Sequence, residues 1–273
     1  MTLLAGACER PQVPDTAAPL ATDSLRTALV TGAGRGIGRA VAVRLGREGY
    51  RVALTARSED ELRETAALVG TETLVLPADM LDPVAPDAAV TAVEQAWGGL
   101  SVLVANAGAG SSAPVAKISD DLWAQQLELN LTAPFRAVRR SVPGMVERGW
   151  GRLVVVASMA AKRGEPYLGA YCASKHGILG LVRAAAAELA TTGVTANAVC
   201  PAYVDTAMTD GAVGAIQRFT GQDAAAARRY LEQKQPIGRL ITVDEVAEAV
   251  WFCVANGGVN GQGLNIDGGA VQG

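Results

Sequence analysis

Seven short and almost wholly apolar runs constrain the fold of this chain more than any other feature. They lie at 28–31, 52–55, 73–76, 102–104, 153–156, 195–199 and 263–266. A strand with one face in water alternates apolar and polar residues, whereas a run that is apolar throughout predicts a strand buried on both faces. Helical patterns separate the runs, at 38–48, 59–69, 90–97, 123–147, 171–190 and 243–253. Repeated strand–helix–strand units cross over right-handed and build a parallel sheet covered by helices on both sides. No repeat, low-complexity tract or linker interrupts this pattern after residue 25. Residues 25–273 are therefore read as one doubly wound α/β domain. Residues 1–24 hold three prolines and no amphipathic period, and are read as a flexible tail.

The first run leads directly into Thr31-Gly32-Ala33-Gly34-Arg35-Gly36-Ile37-Gly38, and a helix follows. Glycines there allow a tight turn and let backbone N–H groups approach a pyrophosphate at the positive end of the helix. The spacing is GxxxGxG over Gly32, Gly36 and Gly38, not GxGxxG; the plain alternative is an ordinary glycine-rich turn. The second run ends in Leu54-Thr55-Ala56-Arg57-Ser58, without the carboxylate that would accept from a ribose 2′-hydroxyl. Arg57, with Arg35 in the turn, could clamp a 2′-phosphate by charge-assisted hydrogen bonds, or either could be a solvated surface residue. This favours NADP(H) over NAD(H). Asp79 could accept from an adenine amino group or cap the next helix. Asn106-Ala107-Gly108 would bring a further flexible segment against the nucleotide.

Tyr171 and Lys175 lie four residues apart and share a helix face. A cation beside a phenol favours the phenolate and lowers a pKa that is ordinarily about 10. Taken alone the spacing is weak, because most such pairs mark only a helix surface.

Composition narrows the classes of partner. Hydrophobic residues make up 49 % and charged ones 19 %, as in a compact globular protein. A net charge of −3 gives no reason to expect nucleic acid or an anionic membrane. No apolar run approaches the roughly 20 residues of a membrane span. Cys8, Cys172, Cys200 and Cys253 form no CxxC pair and His176 is the sole histidine, so no metal site is expected. His176 receives no role. The segment Leu3-Leu4-Ala5-Gly6-Ala7-Cys8 superficially matches a lipoprotein cleavage site, but it is too short and lacks a positive flank. A reduced, cytoplasmic protein is the expectation.

Taken in order, TGxxxGIG at 31–38, NAG at 106–108, Ser158 after the fifth run, Tyr171-x-x-x-Lys175 and the segment from Pro201 to Thr206 resemble the short-chain dehydrogenase/reductase family. The likeness covers about residues 26–270. It is closest to the branch holding 3-oxoacyl-thioester and polyketide ketoreductases and 3-hydroxyacyl-CoA dehydrogenases. The resemblance implies a Rossmann-like sheet of seven mostly parallel strands in the order 3-2-1-4-5-6-7, with a helical substrate lid over about 207–235. It implies a catalytic tetrad of Asn130, Ser158, Tyr171 and Lys175. Tyrosine would give a proton to a carbonyl oxygen as hydride arrives, and lysine would tune it and hold ribose hydroxyls. Serine would stabilise developing negative charge, and asparagine would hold a water linked to the lysine. To the cofactor contacts already named it adds Ile37, Ser58, Met80, Pro201, Ala202, Val204 and Thr206, besides Tyr171 and Lys175. Ala105 and Ala202 depart from the family's usual asparagine and glycine; the methyl of Ala202 would face the nicotinamide region.

The expected activity is NADPH-dependent reduction of a ketone to a secondary alcohol, on a 3-oxoacyl thioester of coenzyme A or a carrier protein, or on a polyketide-like ketone. A dehydrogenase of a free secondary alcohol or of a cyclic or aromatic ketone is the alternative. A silent nucleotide sensor is a third reading, opposed by the intact tetrad. Within the lid, Arg218, Arg228, Arg229 and Lys234 could meet phosphates or could form a solvated helix face. A homotetramer, or a dimer, is expected through the helices at 123–147 and 171–190.

Overall fold

The computed structural model describes residues 25–272, so the expected tail lies outside the described residues. Seven parallel strands form one sheet. In chain order they are β1 (Thr27–Thr31), β2 (Arg51–Ala56), β3 (Thr73–Pro77), β4 (Val102–Ala105), β5 (Gly151–Val156), β6 (Val194–Pro201) and β7 (Gly263–Ile266). They are ordered β3-β2-β1-β4-β5-β6-β7, as the resemblance implies. The helices are α1 (Gly36–Arg47), α2 (Glu59–Val69), α3 (Ala85–Trp97), α4 (Asp120–Leu127), α5 (Ala133–Glu147), α6 (Gly169–Glu188), α7 (Ala207–Thr220), α8 (Ala224–Gln233) and α9 (Val243–Ala255).

Strict alternation along each strand divides the interior in two. Leu29, Ala53, Leu103, Leu153 and Ala196 face α3, α5 and α6. Val30, Leu54, Val104, Val154 and Val199 face α1, α2 and α9. The sequence looks uniformly apolar because both halves of the alternation are buried. Only the edge strands β3 and β7 are half-exposed, since each has a single neighbour. Each fully buried leucine or valine stabilises the fold by about 1.5–3 kcal/mol.

Local signals fix the helix ends. Ser58, Ser119 and Asp223 each accept a backbone N–H at the start of α2, α4 and α8. Thr242 and Glu245 form a reciprocal capping box on α9. Two expectations are corrected. Helix α3 starts at Ala85 rather than 90, with Pro86 in its first turn, where its missing N–H costs nothing. The segment expected as one helix over 123–147 is instead α4, a π-turn at Glu128–Thr132 and α5. The wide turn satisfies the backbone while inserting one residue, a break that periodicity does not reveal.

Strand order reverses between β1 and β4, which opens a crevice beyond the carboxyl ends of the strands. The turns after β1, β4, β5 and β6 all meet there.

Candidate active site

The turn after β1 is held from below. Arg39 on α1 donates to the Gly34 carbonyl from Nε at 3.0 Å and to Thr65 Oγ1 at 3.0 Å. Thr65 donates in turn to the carbonyl of Ala33 at 3.0 Å. Gly32 and Gly36 have φ of 65° and 55°, which glycine adopts without strain. A Cβ on Gly38 would collide with the carbonyl oxygen of Gly32 and approach Asn106 Nδ2 to 2.6 Å. Helix α1 begins with no side-chain cap and no acidic residue in its first turn, so its N-terminal donors and dipole suit an anion.

Asn106 ties the β4 end to this turn, donating from Nδ2 to Thr31 O at 2.9 Å and Gly32 O at 3.2 Å. Thr31 Oγ1 accepts from the backbone N–H of both Asn106 and Ala107, at 3.0 and 2.9 Å. Thr206 closes the other side: a Cβ on Gly36 would sit 3.3 Å from its methyl. Pro201 ends β6, the Ala202 N–H donates to Ile266 O at 3.1 Å, and buried Val204 bridges to Ile241. Ile37 is half-buried and Met80 is buried against Ala85 and Ala133. The second-strand tip is more acidic than expected. Glu59, Asp60 and Glu61 fill the first turn of α2, and Ser58 is spent as its cap. Arg35 pairs with Glu61 at 3.6 Å, so a carboxylate competes for it. Arg57 is exposed and has no ion pair among the described residues. Asp79 is also exposed, and its Oδ1 accepts from Leu81 N–H in a local turn.

The four residues of the expected tetrad converge across three segments. Asn130 sits in the π-turn, 1 % exposed, accepting from Ala109 N–H at 3.1 Å and donating to Ala109 O at 3.0 Å. Gly108 packs between it and Lys175: a Cβ there would lie 2.9 Å from Asn130 Oδ1 and 3.6 Å from Lys175 Nζ. Ser158 follows β5 and accepts from Ala160 N–H at 3.1 Å, and its side chain acts on the Tyr171 phenol. Lys175 is buried, donates to Val156 O at 2.9 Å, and holds its ammonium 5.7 Å from the Tyr171 ring centroid.

Electrostatics correct the sequence reading. Burial pushes the Tyr171 phenol up, and it is the Ser158 side chain that pulls it back. Burial also draws the Lys175 ammonium down to about 8. Desolvation disfavours the charged form of each group, which is why the phenol rises and the ammonium falls. The loop before α6 is strained at Tyr167, whose φ is 67°. Its carbonyl accepts from Ala113 N–H at 2.8 Å, which pins a conformation costing about 1–3 kcal/mol at the rim of the site.

Helices α7 and α8 make up the segment expected as a lid. Two of its four basic residues are engaged internally: Arg228 with Asp205 at 2.9 Å and Lys234 with Glu165 at 3.3 Å. Arg218 and Arg229 are exposed. His176 is also exposed, at the helix surface. Sequence reading placed Thr31 in the glycine turn without a role, and missed Arg39, Thr65 and Glu165. Each acts through contacts to residues far away along the chain, for which spacing carries no signal. Among the described residues no cluster could hold a metal ion, and no helix is long and apolar enough to cross a membrane.

The short chain dehydrogenase family model matches residues 26–215. A Streptomyces coelicolor protein named as a ketoacyl reductase is 39 % identical over 92 % of this chain and 98 % of its own length. The 3-oxoacyl-(acyl-carrier-protein) reductase MabA of Mycobacterium bovis is 34 % identical over 91 % of this chain and 94 % of its own. A single-site variant of the actinorhodin polyketide ketoreductase, crystallised with NADPH, superposes with a TM-score of 0.87. It is 38 % identical and covers 92 % of this chain and 99 % of that one. Sheet order, glycine turn and sequence likeness agree: this chain is an oxidoreductase of the short-chain dehydrogenase/reductase family.

Proposed function

We propose that the protein is an NADPH-dependent ketoreductase that converts a 3-oxoacyl thioester, on coenzyme A or a carrier protein, or a polyketide-like ketone into a secondary alcohol. The observation that carries this is the convergence of Ser158, Tyr171, Lys175 and Asn130 on one crevice beside an uncapped α1. The residues present fit a dinucleotide phosphate. The turn carbonyls are occupied from below, α1 offers its amino end to a pyrophosphate, and Arg57 is free for a 2′-phosphate. Bound there, the nicotinamide supplies a hydride to the substrate carbonyl carbon.

The chain's own residues handle the proton. Tyr171, kept protonated by burial, donates its phenolic proton to the carbonyl oxygen as negative charge develops. Ser158 donates a hydrogen bond to the same oxygen, an electrostatic contribution that strengthens as charge builds. Lys175, whose ammonium titrates near 8, stabilises the resulting phenolate and returns the proton. Asn130, wedged against Gly108, fixes the wall behind Lys175 and orders the path to solvent.

The names of the relatives support a ketoacyl substrate, and the NADPH-bound ketoreductase supports the cofactor. The described cysteines Cys172, Cys200 and Cys253 are free, in keeping with a cytoplasmic setting. Tyr171→Phe is expected to lower kcat about 10²–10⁴-fold with NADPH binding retained; unchanged turnover of acetoacetyl-CoA would refute the mechanism. Faster reduction with NADH than with NADPH would refute the reading of Arg57.

A further inference from the structure

The lid has few holds on the body of the protein. Val213, Ala227, Leu231 and Leu240, with Tyr203, Ala212 and Ile216, form a small cluster separate from both faces of the sheet. At its base Thr209 Oγ1 donates to Val204 O at 2.5 Å, and Arg228 pairs with Asp205. Those partners lie on the segment leading into the lid, so they fix its hinge alone. Lys234 at the end of α8 reaches further, with Nζ 3.3 Å from Glu165 Oε2 on the loop between Ser158 and Tyr171. Among the described residues it is the ion pair joining the lid to that loop.

This contact is built from several groups. The Glu165 side chain is only 6 % exposed and also takes Arg163, at 2.5 Å. Arg163 donates to Ala270 O at 2.9 Å, while Glu165 N–H donates to Cys172 Sγ at 3.4 Å, next to Tyr171. The Lys234 ammonium stands 5.9 and 5.4 Å from the ring centroids of Tyr203 and Tyr230. A buried carboxylate shared by two cations is costly to strip, and two phenol faces add cation–π attraction.

We propose that Lys234 and Glu165 form the latch that seats the lid against the catalytic loop. Both are positioning residues: they set how tightly the ketone is held over Tyr171, not how fast a held ketone reacts. The kinetic part of this rests on the ketoreductase reading above.

The test compares Lys234→Met, Glu165→Gln, Lys234→Arg and the Met/Gln double variant as full chains. Hydrogen exchange followed by mass spectrometry over residues 207–234 should speed up in Lys234→Met and Glu165→Gln, and return to the parent rate in Lys234→Arg. KM for acetoacetyl-CoA and trans-1-decalone should rise about tenfold in both, the size of one lost charged hydrogen bond, with kcat nearly unchanged. The double variant should be no worse than the worse single one. Unchanged exchange in both single variants would overturn the latch, as would losses that add in the double variant or a fall in kcat at constant KM. Should Glu165→Gln fail to fold, Lys234→Met, at a half-exposed lid position, decides alone. If the parent protein reduces neither ketone, the ketoreductase reading falls while the exchange measurement still decides the latch.

Discussion

Lys175 keeps an ammonium out of water with the Val156 carbonyl as a hydrogen-bond partner at 2.9 Å and no carboxylate paired with it among the described residues. Its pKa falls from 10.5 to about 8, so the unfolded chain binds more protons than the folded one between those values. Folding therefore carries the full penalty below pH about 8 and sheds it as pH rises toward 10.5. Replacing Lys175 with Met removes the cation and keeps the apolar stem. Chemical denaturation is expected to show the variant about 1–2 kcal/mol more stable at pH 7, after the loss of one hydrogen bond. That advantage should shrink between pH 8 and 10.5, while ketone reduction is lost. A destabilised variant at pH 7 would mean that the lysine serves packing rather than chemistry.

At the scale of elements, turns and helix ends, more than whole helices, build the candidate site. The glycine turn works because α1 starts almost touching it, with Gly38 against Gly32 and Asn106. Gly38→Ala puts a methyl where the Gly32 carbonyl already sits, so the turn must shift. The expected result is about 1–3 kcal/mol of lost stability and strongly weakened NADPH binding, read by thermal melting and by nucleotide titration. Normal binding by the variant would show that the close approach of turn and helix does not matter. The π-turn works in the same way: by widening the chain between α4 and α5 it brings Asn130 against Ala109 and Gly108. Its residues look like ordinary helix, which explains why 123–147 reads as one continuous element.

Viewed whole, the molecule stacks two apolar layers on one parallel sheet and gathers four loops at the carboxyl end of its strands. Helices α4 and α5 keep Trp123, Phe135 and Val146 partly in water, at 43, 38 and 37 % exposure. Side chains of that size at a helix surface suit burial against a second copy. We propose a homotetramer, or a dimer, paired through α5 and α6. Sedimentation equilibrium returning the mass of a single chain would reject it, and Phe135→Glu should weaken association if α5 is the interface.

The apolar runs and the glycine spacing determined the doubly wound parallel sheet and the tight turn after β1, because both are local patterns whose physics acts within a few residues. The strand order followed from the family resemblance, and the Tyr171/Lys175 pair marked the site proposed for the chemistry. The helix break at Asn130, the tying of Thr31 to Asn106, and the Lys234–Glu165 contact were decided only in three dimensions, since each joins segments far apart in the chain or a geometry that many sequences tolerate. The electrostatics followed the same division. Sequence supplied a cation beside a phenol, but burial of both, which depends on everything packed around them, reversed the expected direction for Tyr171 and set Lys175 near 8.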